Sequence, residues 1–356
     1  MATLKLYRNK LKHNYKVLKK IFHKSDIDWA LTTKLLCGNE EFLKEVIALG
    51  AKEVCDSRVS NLERIKRLSP KTRTMYIKPP PKKSIPNIVR FADVSLNSEL
   101  ETIKMLGREA RKQKKVHEII IMIEMGDLRE GVLGPELVDF YSKVFKLKGI
   151  KIIGLGTNLN CLHGVLPSQD KMTQLALYRK IIELQFKRKL PLISGGSTVT
   201  IPLLLKKQLP KAVNHFRVGE ALFFGADLVN KGTLKGMFPS VFELEAEIIE
   251  INEKPVVPNG ELDTNPSGEV FEVNPDDFGK KVWRAIIDVG KLDVPVDHVY
   301  PVDEGTSVVG ASSDMLVVEI DELKDWHQVG SVIKLDLDYM GILGIMNSRY
   351  VEKVVI

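Results

Sequence analysis

The sequence predicts an α/β fold in which a (β/α)8 barrel of the TIM type is followed by a C-terminal all-β domain. Short runs rich in Val, Ile and Leu alternate with longer amphipathic segments through the first part of the 356-residue chain, as buried parallel strands alternate with covering helices. Eight such units fit within the usual barrel length of about 250 residues. After Gly232 the pattern becomes that of short strands separated by loops, so we place the barrel at residues 1–232 and the β domain at 233–356.

The eight predicted barrel strands follow one another at regular intervals. They are residues 29–35, 53–55, 74–77, 93–96, 118–124, 151–155, 191–193 and 215–217. Amphipathic segments at 41–49, 99–113, 135–146 and 169–189 predict helices between them. A doubly wound open sheet is the alternative, but it more often shows a Gly-rich first turn. No such turn follows residues 29–35, and this favours the barrel.

The second domain is predicted from alternating apolar and polar residues. Its predicted strands are residues 240–251, 283–289, 306–309, 315–320 and 331–335. Residues 254–277 are rich in Pro and Gly and predict a long loop.

Charge also divides the chain. The net charge of +7 combines +21 over residues 1–232 with −14 over residues 233–356. Opposite signs predict a basic surface that meets an acidic one, not a nucleic-acid footprint, and no DNA-binding motif is present. The sparse cysteines, Cys37, Cys55 and Cys161, indicate a reducing compartment. No apolar run is long enough for a membrane span or a signal peptide, so we expect a cytoplasmic protein without a membrane partner.

Lys34 stands at the end of the first predicted strand, where a barrel places its active site. A lysine in an apolar strand is costly unless it is used or neutralised. A desolvated lysine can act as a nucleophile or form a Schiff base. The alternative is a strand-end lysine that simply reaches solvent.

Two Gly-containing turns follow the seventh and eighth strands. They are Ser194-Gly-Gly-Ser-Thr198 and Arg217-Val-Gly-Glu-Ala221. Barrels frequently bind phosphate at these two loops, whereas either turn alone would suggest only a capped Gly turn. A phosphate site opposite a strand-end lysine suits pyridoxal 5′-phosphate (PLP). The candidate cofactor-binding residues here are Ser194, Gly196, Ser197, Arg217, Gly219 and Glu220.

Polar residues also follow the fifth and sixth strands. Arg129 could hold a substrate carboxylate, or it could pair with Asp127 or Glu130. Asn158 could bind the cofactor, or it could satisfy the backbone of its turn. The seven histidines are scattered and no cysteine pair has zinc spacing, so we expect no catalytic metal.

The chain resembles the alanine racemase-like, fold-type III PLP enzymes, and among them the ornithine racemase branch. The resemblance covers nearly the whole chain. It is carried by Thr32-Thr-Lys-Leu-Leu-Cys37, Ile123-Glu-Met-Gly-Asp-Leu-Arg-Glu-Gly131, Gly154-Leu-Gly-Thr-Asn-Leu159, the two turns above, Asp288-Val-Gly-Lys-Leu-Asp293, Val309-Gly-Ala-Ser-Ser-Asp314 and Met346-Asn-Ser-Arg-Tyr350.

The resemblance implies roles for the barrel residues. Lys34 would form the Schiff base with PLP, and Ser197 and Gly219 would bind its phosphate. Arg217 would face the pyridine nitrogen and keep it unprotonated, which makes the ring a weaker electron sink. Decarboxylases of this fold have a carboxylate at that position, so Arg217 implies racemisation.

The resemblance also implies a head-to-tail homodimer in which the partner's β domain supplies the second acid/base. In alanine racemases that group is a tyrosine, and Lys291 takes its place here. Asp293, Cys161, Tyr339 and Tyr350 are further candidates. Asn158 replaces the histidine that stacks on the cofactor ring in alanine racemases.

These expectations favour a PLP-dependent racemase that interconverts the L- and D-forms of a basic amino acid such as ornithine. Lys34 and Lys291 would move the α-proton, Arg129 would hold the substrate carboxylate, and Asp293 could meet a distal ammonium. The alternatives are decarboxylation, aldol cleavage of a D-amino acid, a PLP carrier without turnover, or nucleic-acid binding by the basic barrel.

Overall fold

The structure is a computed structural model that describes residues 2–266 and 268–356. It divides into two compact units, Arg8–Val241 and Phe242–Ile356, and the second unit also includes the residues up to Tyr7. The boundary predicted from the sequence, at 232/233, differs from this division in two places, at the start of the chain and near residue 241. Strand β1 (Thr3–Leu6) pairs within the second unit, and residues 233–241 stay with the first.

The first unit begins with helix α1 (Arg8–Lys24), whose buried face includes Leu11, Leu18 and Phe22. Eight parallel strands then close into a barrel, which confirms the predicted architecture. They are β2 (Asp28–Thr32), β3 (Glu53–Asp56), β4 (Arg73–Tyr76), β5 (Val94–Asn97), β6 (His117–Met122), β7 (Ile150–Gly156), β8 (Leu192–Gly196) and β9 (His215–Val218).

Helices follow the barrel strands. They are α2 (Glu40–Ala48), α3 (Val59–Leu68), α4 (Ile85–Phe91), α5 (Leu100–Lys112), α6 (Leu137–Val144), α7 (Gln169–Phe186), α8 (Ile201–Leu205) and α9 (Glu220–Phe224). Helices α2, α3, α5 and α6 are amphipathic because one face packs on the barrel. The segment at 169–189 was also predicted to be amphipathic, but α7 leaves Leu177, Ile181 and Leu184 exposed. The unit ends with a small hairpin of β10 (Ala226–Asp227) and β11 (Gly232–Thr233). Among the described residues, no helix is both long and apolar enough to cross a membrane.

A buried apolar cluster includes residues from β2 through β7. Its members are Ala30, Cys55, Met75, Val94, Leu96, Ile120, Met122 and Ile153. Burial of Cys55 within this cluster raises the pKa of its thiol to about 12, so the thiol is neutral at physiological pH. Polar side chains of the candidate site come from the carboxyl-end half of the barrel, including Ser194 on β8 and Arg217 on β9.

The second unit is a β domain, as predicted, and its sheet is largely antiparallel. Its elements are β12 (Phe242–Pro255), β13 (Lys281–Ile287), β14 (Val299–Pro301), β15 (Thr306–Ala311), β16 (Leu316–Ile320), β17 (Val332–Leu337), helix α10 (Tyr339–Asn347) and β18 (Glu352–Val355). The main path runs β14-β17-β12-β13-β16-β15. Strand β1 joins β12 on one side and β18, in parallel, on the other. The helix α10, capped by Asp338, is an addition to the all-β prediction.

Candidate active site

Lys34 lies at the carboxyl end of β2, on a short 3-10 turn (Lys34–Leu36) and not inside a strand as predicted. The strand stops at Thr32 because Thr33 leaves the extended conformation, with ψ near 0°. The Lys34 side chain is exposed, whereas Thr33 and Leu35 on either side of it are buried. Of the two alternatives that the sequence leaves open, this position agrees with a strand-end lysine that reaches solvent, and binding of a cofactor by Lys34 stays a prediction.

The turn that carries Lys34 is attached to the end of β3. The Thr33 hydroxyl donates to Asp56 Oδ2 over 2.9 Å, and Asp56 Oδ1 accepts from the Arg58 backbone N–H (2.8 Å) and from Asn61 Nδ2 (3.1 Å). Burial raises the pKa of Asp56 despite these donors. Neither Asp56 nor Asn61 was predicted as part of the site, although Asp56 ends a strand and a strand-end carboxylate is a usable signal.

The guanidinium of Arg217 is buried and held by four acceptors from two neighbouring strand ends. Nη1 donates to the Ser194 carbonyl (2.8 Å) and hydroxyl, and Nη2 donates to the Thr157 carbonyl (2.7 Å) and Asn158 Oδ1 (2.6 Å). Burial lowers the pKa of Arg217 from its very high ordinary value, and an arginine stays charged in proteins. Both Nη groups use both of their hydrogens. Within the described residues, Nε–H is thus the one donor of this fork left for a ligand.

Ser194 is fully buried, and both of its oxygen atoms contact Arg217. Its hydroxyl also lies 2.7 Å from His215 Nδ1, and His215 Nε2 lies 3.3 Å from Glu53 Oε2. This arrangement gives Ser194 a clear task in orienting Arg217. A direct contact of Ser194 with a cofactor stays a prediction.

The turns after β8 and β9 are joined to each other. Thr198 Oγ1 accepts the backbone N–H of Ala221 over 3.1 Å, and Thr200 Oγ1 accepts that of Ser197 over 3.3 Å. Glu220 begins α9 directly after Gly219. The structure therefore brings the two predicted phosphate-binding turns together, as the barrel topology requires.

The glycines of these turns are also required by packing. A Cβ on Gly196 would overlap the ring of Phe216, and one on Gly219 would lie 3.0 Å from the carbonyl oxygen and the Cβ of Thr32. The sequence suggested close approach of a ligand or a simple turn as reasons for these glycines. The structure adds close packing between neighbouring strands as a third reason.

We predict that Gly196→Ala lowers the free energy of unfolding of the cofactor-free protein by about 1–3 kcal/mol, because the added methyl forces the aromatic ring or the backbone to move. Urea denaturation measures this change. Gly232→Ala is the matched control, since an added Cβ there meets only the Asn230 carbonyl, at 3.9 Å. Equal stability of the two variants would contradict the packing argument.

Arg129 follows β6 and pairs with its neighbour Glu130, one of the two partners that the sequence suggested. Its Nε and Nη2 both donate to the Glu130 carboxylate, with 2.7 Å from Nη2 to Oε1. This pairing raises the pKa of Arg129. Asn158 Nδ2 donates to the same Glu130 Oε1. Arg129, Glu130, Asn158 and Arg217 thus form one continuous chain of hydrogen bonds.

Asp127 fixes the loop after β7 to the loop after β6. Its carboxylate accepts backbone N–H groups from Cys161, Leu162, His163 and Val165 over 2.9–3.2 Å. Burial alone would raise the pKa of Asp127, but these donors outweigh it and hold the pKa below its usual value. The sequence offered Asp127 only as a surface partner of Arg129, so this anchoring role is new.

The proposed second bases, apart from Cys161, lie in the second unit. Lys291 Nζ is 3.2 Å from a Glu269 carboxylate oxygen, and both line a shallow pocket of about 330 Å³ with Asp297. Asp293 accepts from the Ser348 hydroxyl (2.5 Å) and the Gly290 N–H (3.2 Å). These bonds give Asp293 a structural task, and a contact with a substrate ammonium stays a prediction.

The motifs at residues 288–293 and 309–314 of the second unit lie side by side. The backbone N–H groups of Lys291 and Leu292 donate to the carbonyls of Ser312 and Ser313 over 3.0 and 2.9 Å. A Cβ on Gly290 would overlap the Ser313 backbone. This contact fixes the position of the segment that carries Lys291.

Comparisons with protein families, with curated proteins and with solved structures all find racemases. The family model described as "Alanine racemase, N-terminal domain" matches residues 7–227. The chain is 34% identical over 346 residues to an ornithine racemase of Acetoanaerobium sticklandii, covering 97% of each protein. It is 30% identical to a lysine racemase of Thermotoga maritima, covering 90% of this chain and 89% of that protein. The solved alanine racemase of Bartonella henselae, with covalently bound pyridoxal phosphate, shares the fold with a TM-score of 0.75 at 16% identity, over 100% of this chain and 99% of that one.

Proposed function

Because this chain belongs to the alanine racemase family, we propose that it is a PLP-dependent racemase that interconverts the L- and D-forms of a basic amino acid such as ornithine. The observation that carries the proposal is the 34% identity to an ornithine racemase over 97% of both chains. The geometry of the barrel site supports it independently.

The residues of the barrel end fit PLP. Lys34 offers an exposed amine at the carboxyl end of β2. Arg217 offers a fixed, charged Nε–H to the ring nitrogen, and the joined turns offer the phosphate the Ser197 hydroxyl and close approach to the Gly219 backbone. When bound, PLP supplies an aldehyde that condenses with amines and a ring that accepts negative charge from the substrate α-carbon.

The chain's own residues then divide the work of proton transfer. The Lys34 amine exchanges the α-proton on one face of the substrate carbon, and Lys291 of the partner subunit exchanges it on the other. Arg129 binds the substrate carboxylate, and its pairing with Glu130 fixes the direction of its guanidinium. A cation at position 217, in place of a carboxylate, favours return of the proton over loss of carbon dioxide.

Incubation of the purified protein and PLP with L-ornithine, L-lysine and L-alanine, followed by chiral chromatography, tests the proposed function. We expect D-ornithine or D-lysine to appear faster than D-alanine. If no D-enantiomer forms from any of the three, the racemase proposal is wrong. Release of carbon dioxide or of an aldehyde in its place would indicate a different PLP reaction.

A head-to-tail homodimer is part of the same proposal. The net charges of +21 on residues 1–232 and −14 on residues 233–356 favour contact between the barrel of one chain and the β domain of another. The three free cysteines, Cys37, Cys55 and Cys161, suit a reducing compartment, and we propose that the enzyme works in the cytoplasm.

Mixing two inactive variants tests Lys291 and the dimer together. Lys34→Ala and Lys291→Ala are each expected to lose most activity. After equal amounts are unfolded together and refolded, half of the dimers are mixed, and each mixed dimer has one site with both lysines. We therefore expect about a quarter of the wild-type activity to return. If both lysines act within one chain, mixing restores no activity. If Lys291→Ala keeps wild-type activity, Lys291 is not the second base.

A further inference from the structure

Glu130 is shared between two residues of the candidate site. Oε1 accepts from both Arg129 Nη2 and Asn158 Nδ2, and Oε2 accepts from Arg129 Nε. Only 9% of the Glu130 side chain is exposed. A carboxylate with few contacts to water and three donors is held firmly in one orientation.

The carboxylate determines which way the Asn158 amide faces. An ionised carboxylate only accepts hydrogen bonds, so it must meet the Nδ2 end of the amide. The Oδ1 end then faces Arg217 and accepts from Nη2 over 2.6 Å. Without the Glu130 charge, the amide loses the partner that fixes its orientation, and an inverted amide would turn N–H groups toward the Arg217 guanidinium.

Glu130 also determines what Arg129 can offer a ligand. One edge of the Arg129 guanidinium, formed by Nε and Nη2, is occupied by the bidentate pair. The opposite edge, formed by Nη1 and the second hydrogen of Nη2, can bind a substrate carboxylate. The negative charge of Glu130 also opposes the repulsion that Arg129 exerts on the Arg217 guanidinium.

Resting on the proposed function, we propose that Glu130 is the positioning residue that couples the substrate-binding Arg129 to the cofactor-facing Arg217 through Asn158. It does not exchange a proton with the substrate. It holds one guanidinium toward the substrate carboxylate and, through the amide, the other toward the cofactor.

Glu130→Gln tests the coupling, because the amide keeps the size of the side chain but cannot accept from all three donors. We expect KM for L-ornithine to rise about 10- to 100-fold, as expected for the loss of a charge-assisted pair. We also expect the pH titration of the bound cofactor's visible absorbance, measured without substrate, to shift from that of the wild type. If Glu130 had only a structural role, its replacement would change the free energy of unfolding and leave the absorbance titration unchanged.

Glu136→Gln is the matched control, since Glu136 is exposed on the nearby turn Gly134–Glu136. Glu130→Asp keeps the charge with a shorter reach and is expected to restore part of the substrate affinity. It also covers the case in which Glu130→Gln does not fold. If both Glu130 variants match the wild type in KM and in the absorbance titration, the inference is overturned while the racemase function stands. A wild-type protein that neither binds PLP nor racemises overturns the proposed function, and this inference with it.

Discussion

Replacement of Lys34 by alanine is expected to abolish covalent attachment of PLP and to lower the rate of racemisation by about 10³-fold or more. In the proposed mechanism the variant loses both the amine that binds the cofactor and one of the two proton carriers, and acid–base groups alone contribute about 10²–10⁴-fold. Borohydride reduction of the PLP-loaded protein, followed by peptide mass mapping, measures attachment. Chiral chromatography of L-ornithine incubations measures the rate.

Lys52→Ala is the matched control for this loss. Lys52 is also exposed, but it precedes β3 and therefore lies at the opposite end of the barrel strands from Lys34. We expect this variant to keep wild-type attachment and rate. Attachment of PLP to a lysine other than Lys34 in the wild-type protein would disprove the assignment, as would a Lys34→Ala variant that keeps a substantial fraction of the activity.

The barrel is predictable from the sequence because its signals are local. Buried parallel strands are short apolar runs, so the strands at Glu53–Asp56, Val94–Asn97 and His215–Val218 begin and end within about two residues of their predicted limits. The first strand was extended too far. It ends early because Thr33 bonds to Asp56, which is 23 residues further along the chain, and such a contact leaves no periodic signal.

The pairing of β1 was missed for the same reason. Thr3–Leu6 is a four-residue segment at the start of the chain, and its antiparallel partner, Phe242–Pro255, lies more than two hundred residues away. A four-residue apolar alternation is too short to indicate its sheet. The sequence therefore places the boundary at 232/233, before the observed division at 241/242, and the return of the first residues to the second unit could not be predicted.

The candidate site was predictable where a polar residue stands at the carboxyl end of a strand or in the loop that follows it. Lys34, Arg129, Asn158 and Arg217 were singled out on this ground, because parallel strands bring their carboxyl ends together. The roles of Glu130 and Asp127 depend on contacts between loops that are about thirty residues apart in the chain. Those contacts follow from the closed barrel, so they emerge only when the strands are arranged in space.

Arg217→Gln is expected to lower the rate of racemisation on the order of 10²-fold or more, comparable to the loss of a fixed donor in a preorganised site. The glutamine has neither the charge nor the reach to serve the acceptors on Ser194, Thr157 and Asn158. Buried carbonyls left without donors cost about 1–3 kcal/mol each, so stability should also fall. If Arg217 faces the ring nitrogen as proposed, a larger share of turnovers should end in a keto acid, because an uncharged neighbour would let that nitrogen take up a proton and would make the ring a stronger electron sink.

Two further variants separate the charge of Arg217 from its packing. Arg217→Lys keeps the charge, but a single ammonium cannot reach all of the acceptors of the guanidinium fork, so it should lose stability and keep keto-acid formation low. Ser194→Ala keeps the arginine and removes only one hydroxyl acceptor, and its rate should stay above that of Arg217→Gln. Initial rates, keto-acid yields and urea denaturation are compared for all three. If the share of keto acid among the variants follows the free energy of unfolding and not the charge at position 217, Arg217 acts by packing. The preference of the enzyme for racemisation must then be assigned to other groups.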